Sequence, residues 1–245
     1  MNEDHPIIES TSDCFISVRF NDEINPETNN KVHTLFTLLN KDSHLGIIGL
    51  TPSYNSILIQ YNPSELSYES LVDLVEKNLS KIESRLTKQT VIEIPVLYGD
   101  KYGEDLDFVA SHNNLTTDEV VEIHSTPTYL VYMIGFTPGF PYLGGMDESI
   151  STPRLSTPKT IIPAGSVGIA DKQTGIYPTE SPGGWRLIGK TPLMLFNHEK
   201  KPPSLIMPGN LIKFVPIQSI EEYENILHLV KTNKFEPNKS MKNED

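Results

Sequence analysis

Between Gln173 and Gly189 the chain reads Gln-Thr-Gly-Ile-Tyr-Pro-Thr-Glu-Ser-Pro-Gly-Gly-Trp-Arg-Leu-Ile-Gly. Gln173, Thr174, Tyr177, Glu180, Ser181 and Arg186 are the polar groups of this stretch that could converge on a ligand, with Trp185 as an apolar wall. Gln173 and Ser181 can hydrogen-bond a small amide or carboxylate, and the planar fork of Arg186 suits carboxylate or phosphate. Gly183-Gly184 lets a ligand come close to the backbone and can aim two N–H groups at an anion. The same residues also fit a purely structural role. Gly-Gly after Pro182 then forms a turn, Trp185 belongs to a core, and Arg186 pairs with Glu180.

Other chemistries lack their residues. There is no Gly-x-x-x-x-Gly-Lys-Ser/Thr phosphate loop and no Gly-x-Gly-x-x-Gly behind a strand. Gly165-Ser166-Val167-Gly168 is one residue short of a Gly-x-Ser-x-Gly nucleophile elbow, so a serine hydrolase is not expected. The 7 histidines show no His-x-x-x-His or His-Glu-x-x-His spacing, and no metal site is expected. His124 falls at the end of a predicted helix, where an imidazolium meets the negative end of the dipole. The single cysteine, Cys14, excludes an internal disulfide framework and a thiolate zinc cluster. It reads as packing within a strand.

Charge narrows the partners. The 245 residues carry 32 acids and 20 bases, a net charge of −12. Residues 1–88 hold 13 acids and 7 bases, 89–216 hold 13 and 9, and 217–245 hold 6 and 4. No segment gathers the Lys and Arg that displace counterions from nucleic acid, so no nucleic-acid partner is expected. No apolar run approaches the roughly 20 residues of a bilayer span, and no membrane association is expected. The acidic, polar start Met-Asn-Glu-Asp is unlike a secretory signal. A soluble, cytoplasmic protein is the expectation.

The elements that must position these residues come in two styles. Cys14, Ile16, Val18 and Phe20 alternate with Phe15, Ser17 and Arg19 as in a strand. Asn25-Pro26 is an N-cap followed by proline at the first helical position, with Val32, Leu35, Phe36 and Leu39 at helical spacing behind it. Leu45–Leu50 and Ser56–Tyr61 form a predicted hairpin. Ser67 caps a second helix carrying Leu71, Leu74, Val75 and Ile82, and Val91–Val96 is a strand. The order β-α-β-β-α-β is the split βαβ pattern of a ferredoxin-like sandwich. Val91–Val96 either closes that unit or enters the next domain.

Most of the 15 glycines and 19 prolines lie between Gly135 and Pro208, interleaved with Phe140, Tyr142, Ile162, Val167, Ile169 and Trp185. Such anchors argue against disorder and for short strands with tight turns, in a barrel or sandwich. Two short helices are predicted over 101–125, with Thr116 and Glu119 as a capping box. Strands are predicted at Tyr129–Ile134, Leu193–Phe196 and Leu211–Val215, and a helix at Ser219–Val230. The expected domains are 1–88 (α+β), 89–232 (β-rich, ending in that helix) and a polar, fraying tail, 233–245.

Three blocks carry a family resemblance: Phe136-Thr-Pro-Gly-Phe-Pro-Tyr-Leu-Gly-Gly145, Pro163-Ala-Gly-Ser-Val-Gly-Ile-Ala170 and the Gln173–Gly189 stretch above. Ile94-Pro-Val, Tyr98-Gly and Ser125-Thr-Pro-Thr-Tyr-Leu-Val-Tyr-Met-Ile-Gly135 extend them upstream. Together they closely resemble the family of 5-oxoprolinase B subunits. That family has also been called allophanate hydrolase subunit 1, and it includes the KipI-type inhibitor of a sporulation histidine kinase. The resemblance implies an α+β fold: a small N-terminal ferredoxin-like domain followed by a cyclophilin-like β-barrel. It implies a component that is not catalytic alone and acts with subunits A and C. Together they open 5-oxoproline to L-glutamate, a hydrolase reaction coupled to ATP hydrolysis. The ATP site would be shared with or carried by a partner, and no metal would be held. On this view Gln173, Tyr177, Ser181, Gly183, Gly184 and Arg186 help hold a carboxylate, lactam or phosphate, while the catalytic residues stay unassigned. Kinase inhibition by docking on a histidine kinase, and a component of an allophanate or urea amide hydrolase, are the alternative readings.

Overall fold

The computed structural model describes residues 5–22, 25–41, 45–82 and 89–242. The described residues divide into two compact units, one up to residue 82 and the other spanning 89–242.

The first unit is a four-stranded antiparallel sheet with two helices. Its elements are β1 (Ile7–Ser12), β2 (Phe15–Arg19), α1 (Pro26–Lys41), β3 (Ile47–Pro52), β4 (Ser56–Tyr61) and α2 (Tyr68–Leu79). The strand order is β1-β2-β4-β3. Period-2 alternation buries Ile16, Val18 and Phe20 on β2 and its exit, and Ile57, Ile59 and Tyr61 on β4. These meet Val32, Leu35 and Leu39 of α1 and Leu71 and Val75 of α2. Both helices start where their caps direct. The Asn25 side chain accepts from the Thr28 N–H at 2.8 Å, and the Ser67 hydroxyl accepts from the Ser70 N–H at 3.2 Å.

One open alternative is decided and one expectation changes here. The place beside β2 is taken by β1, so Val91–Val96 does not close this sheet. A hairpin partner two residues upstream closes its loop at far less entropic cost than a strand 70 residues downstream. Cys14 lies in the turn between β1 and β2, not within a strand.

The second unit is a closed seven-stranded barrel. Its strands are β5 (Gln89–Tyr98), β6 (Thr128–Ile134), β7 (Pro141–Gly144), β9 (Ser166–Ala170), β10 (Gln173–Ile176), β12 (Arg186–Lys190) and β13 (Leu211–Pro216). The order β12-β9-β10-β7-β6-β13-β5 closes through β12 pairing with β5. β5 runs parallel to β13, from Leu211 opposite Val91 to Pro216 opposite Val96. The strand read at Val91–Val96 is therefore the seam of the barrel. Inside lie Ile92, Ile94, Val96, Val131, Val167, Ile169, Ile176, Ile188, Ile212 and Phe214. Leu106 and Val109 of α3 (Leu106–His112) and Val120 of α4 (Thr117–Ser125) join the same core. α4 begins at the full capping box of Thr116 and Glu119.

β8 (Lys159–Ile162) and β11 (Ser181–Gly183) form a separate two-stranded ribbon. α5 (Ile220–Lys231) follows β13, capped by Ser219. Leu193–Phe196 is not a strand, although Leu193 and Leu195 are buried in the barrel core. The expected fraying tail also differs, because Lys239–Lys242 forms β14 and pairs antiparallel with Gln89–Ile92 of β5. That stretch of β5 has no barrel strand on this edge, since β12 reaches only Leu97 and Tyr98. Open N–H and C=O groups there give the polar tail a partner that its composition does not reveal. Among the described residues no helix is long and apolar enough to cross a membrane.

Candidate functional site

The glycine-rich blocks build an aromatic face on the outside of the barrel wall. Gly168 of β9 lies opposite Gly175 of β10, and Trp185 crosses both. A Cβ at Gly175 would stand 2.9 Å from Trp185 Cζ3, and one at Gly168 would stand 3.1 Å from Trp185 Cβ. The indole fits because these two residues have no side chain. Phe140 meets Trp185 at 5.6 Å and Tyr177 at 5.4 Å between ring centroids, both edge to face. Ile162, Ala170 and Leu187 complete this cluster. The ribbon extends from it, with Gly183 so close to the Tyr177 hydroxyl that a Cβ would sit 2.4 Å away. Burial pushes the Tyr177 phenol up to about 12.

Next to the aromatic face, Asp105 gathers charge. Its backbone N–H donates to Leu187 O at 2.8 Å, and its Oδ2 accepts from the Leu187 N–H at 2.9 Å. One residue thus pairs with β12 as a strand would. Oδ1 lies 3.4 Å from Arg186 Nη1, and Oδ2 lies 3.2 Å from Lys159 Nζ. Lys159 also bonds Glu104. Desolvation works against the Lys159 charge, but the hydrogen bonds and charges of Glu104 and Asp105 outweigh it and hold its pKa above the usual value. Arg186 donates from Nε to Pro153 O and stacks its guanidinium 3.7 Å from the Phe108 ring centre. The clamp joins α3, β12 and the ribbon.

Inside the barrel runs a buried hydrogen-bond chain. Thr174 Oγ1 donates to Gly168 O at 3.1 Å and therefore accepts from His124 Nε2 at 2.8 Å. His124 Nδ1 then accepts from the Tyr98 hydroxyl at 2.8 Å. Phe214 lies 4.5 Å from the imidazole between ring centres. Complete burial lowers His124 from 6.5 to about 3, so it is neutral. This overturns the expectation of an imidazolium at a helix end.

The nine candidate residues thus do not gather in one place. Tyr177 and Trp185 share the aromatic face, with Gly183 and Gly184 at its edge. Arg186 joins the clamp, and its carboxylate partner is Asp105. Thr174 lies in the interior chain, and Glu180 is exposed. Gln173 opens β10, and Ser181 opens β11. Asp105, Lys159 and Phe108 escaped the sequence reading because they lie far along the chain from Arg186 and match no motif. Among the described residues, Ser181 Oγ and Thr137 Oγ1 are buried hydroxyls with no hydrogen-bond partner. Both belong to the glycine-rich blocks, and a buried hydroxyl without a partner can accept or donate to a bound amide or carboxylate. Also among the described residues, no group of His, Cys, Asp and Glu is arranged to hold a metal ion.

Residues 6–206 match the family described as Carboxyltransferase domain, subdomain C and D. Over 221 residues the chain is 43% identical to the Bacillus subtilis protein named as the B subunit of 5-oxoprolinase, covering 86% of this chain and 92% of that one. The chain belongs to the family of 5-oxoprolinase B subunits. The family name implies an enzyme of more than one subunit. Among solved structures, TTHA0988 is similar with a TM-score of 0.76 and 33% identity, over 87% of this chain. This chain spans only 41% of that longer chain. A protein named urea amidolyase from Lachancea kluyveri is 25% identical over 84% of this chain and 13% of its own length.

Proposed function

We propose that this chain is the B subunit of an ATP-dependent 5-oxoprolinase, working with subunits A and C to open 5-oxoproline to L-glutamate. The observation that carries the reading is the 43% identity to the B. subtilis 5-oxoprolinase component over 92% of that protein's length. The urea amidolyase likeness is weaker and covers a small part of a far longer protein, which favours the lactam over allophanate.

A lactam carbonyl is a poor electrophile with a poor leaving group. Transfer of phosphate from ATP to the carbonyl oxygen releases ADP and activates the carbonyl carbon. Water adds there, the ring nitrogen leaves as the protonated amine, and a second water hydrolyses the acyl phosphate to the carboxylate and inorganic phosphate. Two features of this chain support a nucleotide site completed by a partner. The chain has no phosphate loop. The cations beside the aromatic face, Arg186 and Lys159, are already paired with Asp105 and Glu104. In this reading Ser181, Gln173 and the Gly183-Gly184 backbone meet the substrate, while Arg186, Tyr177 and Trp185 hold that edge in place. The family resemblance further takes the barrel as cyclophilin-like, a reading compatible with the closed seven-stranded barrel, and the first unit as ferredoxin-like.

The reading is tested by mixing this chain with subunits A and C and following ADP release on adding 5-oxoproline. Activity in the three-component mixture and none with this chain alone is expected. Full activity from A and C without this chain would refute it.

A further inference from the structure

A second site lies on the outer barrel wall, on the other side of Leu187 from the aromatic face. It is a groove of about 370 Å³ whose lining includes Lys190, Ser166, Tyr102, Tyr223 and Leu187. That volume is at the lower end of small-molecule sites, which run from about 300 to 1,000 Å³. Lys190 on β12 and Ser166 on β9 are direct cross-strand partners. Their side chains therefore stand side by side on one face. The Pro163-Ala-Gly-Ser turn, singled out in the sequence but absorbed by no other role, brings Ser166 to this position. Tyr223, buried with Leu97 and Ile217, and Tyr102, 4.8 Å from it between ring centres, build the opposing side.

What points to a ligand is the state of the polar pair. Among the described residues, Lys190 has no carboxylate within ion-pair distance, and the buried Ser166 is its neighbour across the strands. Every other cation facing this wall is engaged: Lys159 by Glu104 and Asp105, and Lys101 by the Tyr102 ring at 5.1 Å. Glu104, which also lines the groove, is held by Lys159, and Glu224 is the remaining acid there. Half-burial without a counter-charge depresses the Lys190 ammonium, a cost that an anion would remove.

We infer that the groove binds a small molecule through an oxyanion, with Lys190 as the charge partner and Ser166 as a hydroxyl donor. The shared chemistry is a carboxylate or a phosphate group against one ammonium and one hydroxyl, flanked by tyrosine rings. This stands on the groove's own residues and does not require the 5-oxoprolinase reading.

The test is titration of the full chain by calorimetry with three probes: 5-oxoproline, acetate and inorganic phosphate. Saturable binding of at least one probe is expected. It should weaken roughly 10- to 100-fold in Lys190→Met and several-fold in Ser166→Ala, as expected for loss of a charged and then a neutral hydrogen bond. Trp185 fluorescence, which reports the neighbouring cluster, should be unchanged in both variants. Binding of the carboxylates alone or of phosphate alone identifies the ligand source and supports the site either way. Absence of saturable binding by all three probes, or equal binding by Lys190→Met, overturns the inference. Failure here leaves the three-component assay untouched, and failure of that assay leaves this titration untouched.

Discussion

Replacing His124 by Gln should flatten the acid side of the barrel's stability profile. The imidazole is wholly buried, accepts from Tyr98 and donates to Thr174, and its pKa falls from 6.5 to about 3. The folded barrel therefore holds the neutral form at pH values where the unfolded chain binds a proton. A depressed folded pKa gives stability that is complete above 6.5 and is lost as pH falls toward 3. Between pH 7 and pH 5 the loss amounts to about 2 kcal/mol, and below pH 3 it levels near about 5 kcal/mol. Trp185 is the only tryptophan, so urea unfolding followed by its fluorescence reports the barrel alone. His124→Gln should be less stable than wild type at pH 7, having lost the ring packed on Phe214. Its further loss between pH 7 and pH 5 should be smaller than wild type's by about 2 kcal/mol. Parallel profiles for the two proteins would refute the buried neutral imidazole.

Two further substitutions probe the candidate site. Asp105→Ala removes the acceptor of the Leu187 N–H and the partner of Arg186 and Lys159, and should lower barrel stability by about 3 kcal/mol in urea titration. Asp105→Asn keeps an acceptor for that N–H and should cost roughly half as much. Gly175→Ala places a methyl 2.9 Å from Trp185 Cζ3 and 3.2 Å from Phe140 Cζ, which should cost about 1–3 kcal/mol and shift the Trp185 emission. An unshifted spectrum with full stability would show that the indole does not lie across the glycine pair.

Local physics was legible in the sequence, and non-local pairing was not. Alternation on Ile16, Val18 and Phe20, the caps at Asn25, Ser67 and Thr116, and the hairpin β3–β4 all follow from contacts between near neighbours in the chain. Which strand sits beside β2, and what covers the edge of β5, depends on partners that no local pattern names. Asp105 shows the same limit at the site. It lies 81 residues before Arg186, in a stretch with no motif, yet it takes the role that proximity suggested for Glu180. His124 has the residue type and helix position of a surface cap, and only the closure of the barrel over it removes its charge. The glycine blocks identified the family more readily than the chemistry, because most of their residues shape a wall against Trp185.

The central claim, that this chain completes a 5-oxoproline-opening enzyme, is tested most directly by a paired-substrate assay. Subunits A and C are mixed with this chain and ATP, and each mixture receives 5-oxoproline or allophanate. We expect glutamate and ADP to form in equal amounts from 5-oxoproline, with both lost when this chain is omitted, and no turnover of allophanate. Ammonia release from allophanate without glutamate formation from 5-oxoproline would contradict the account.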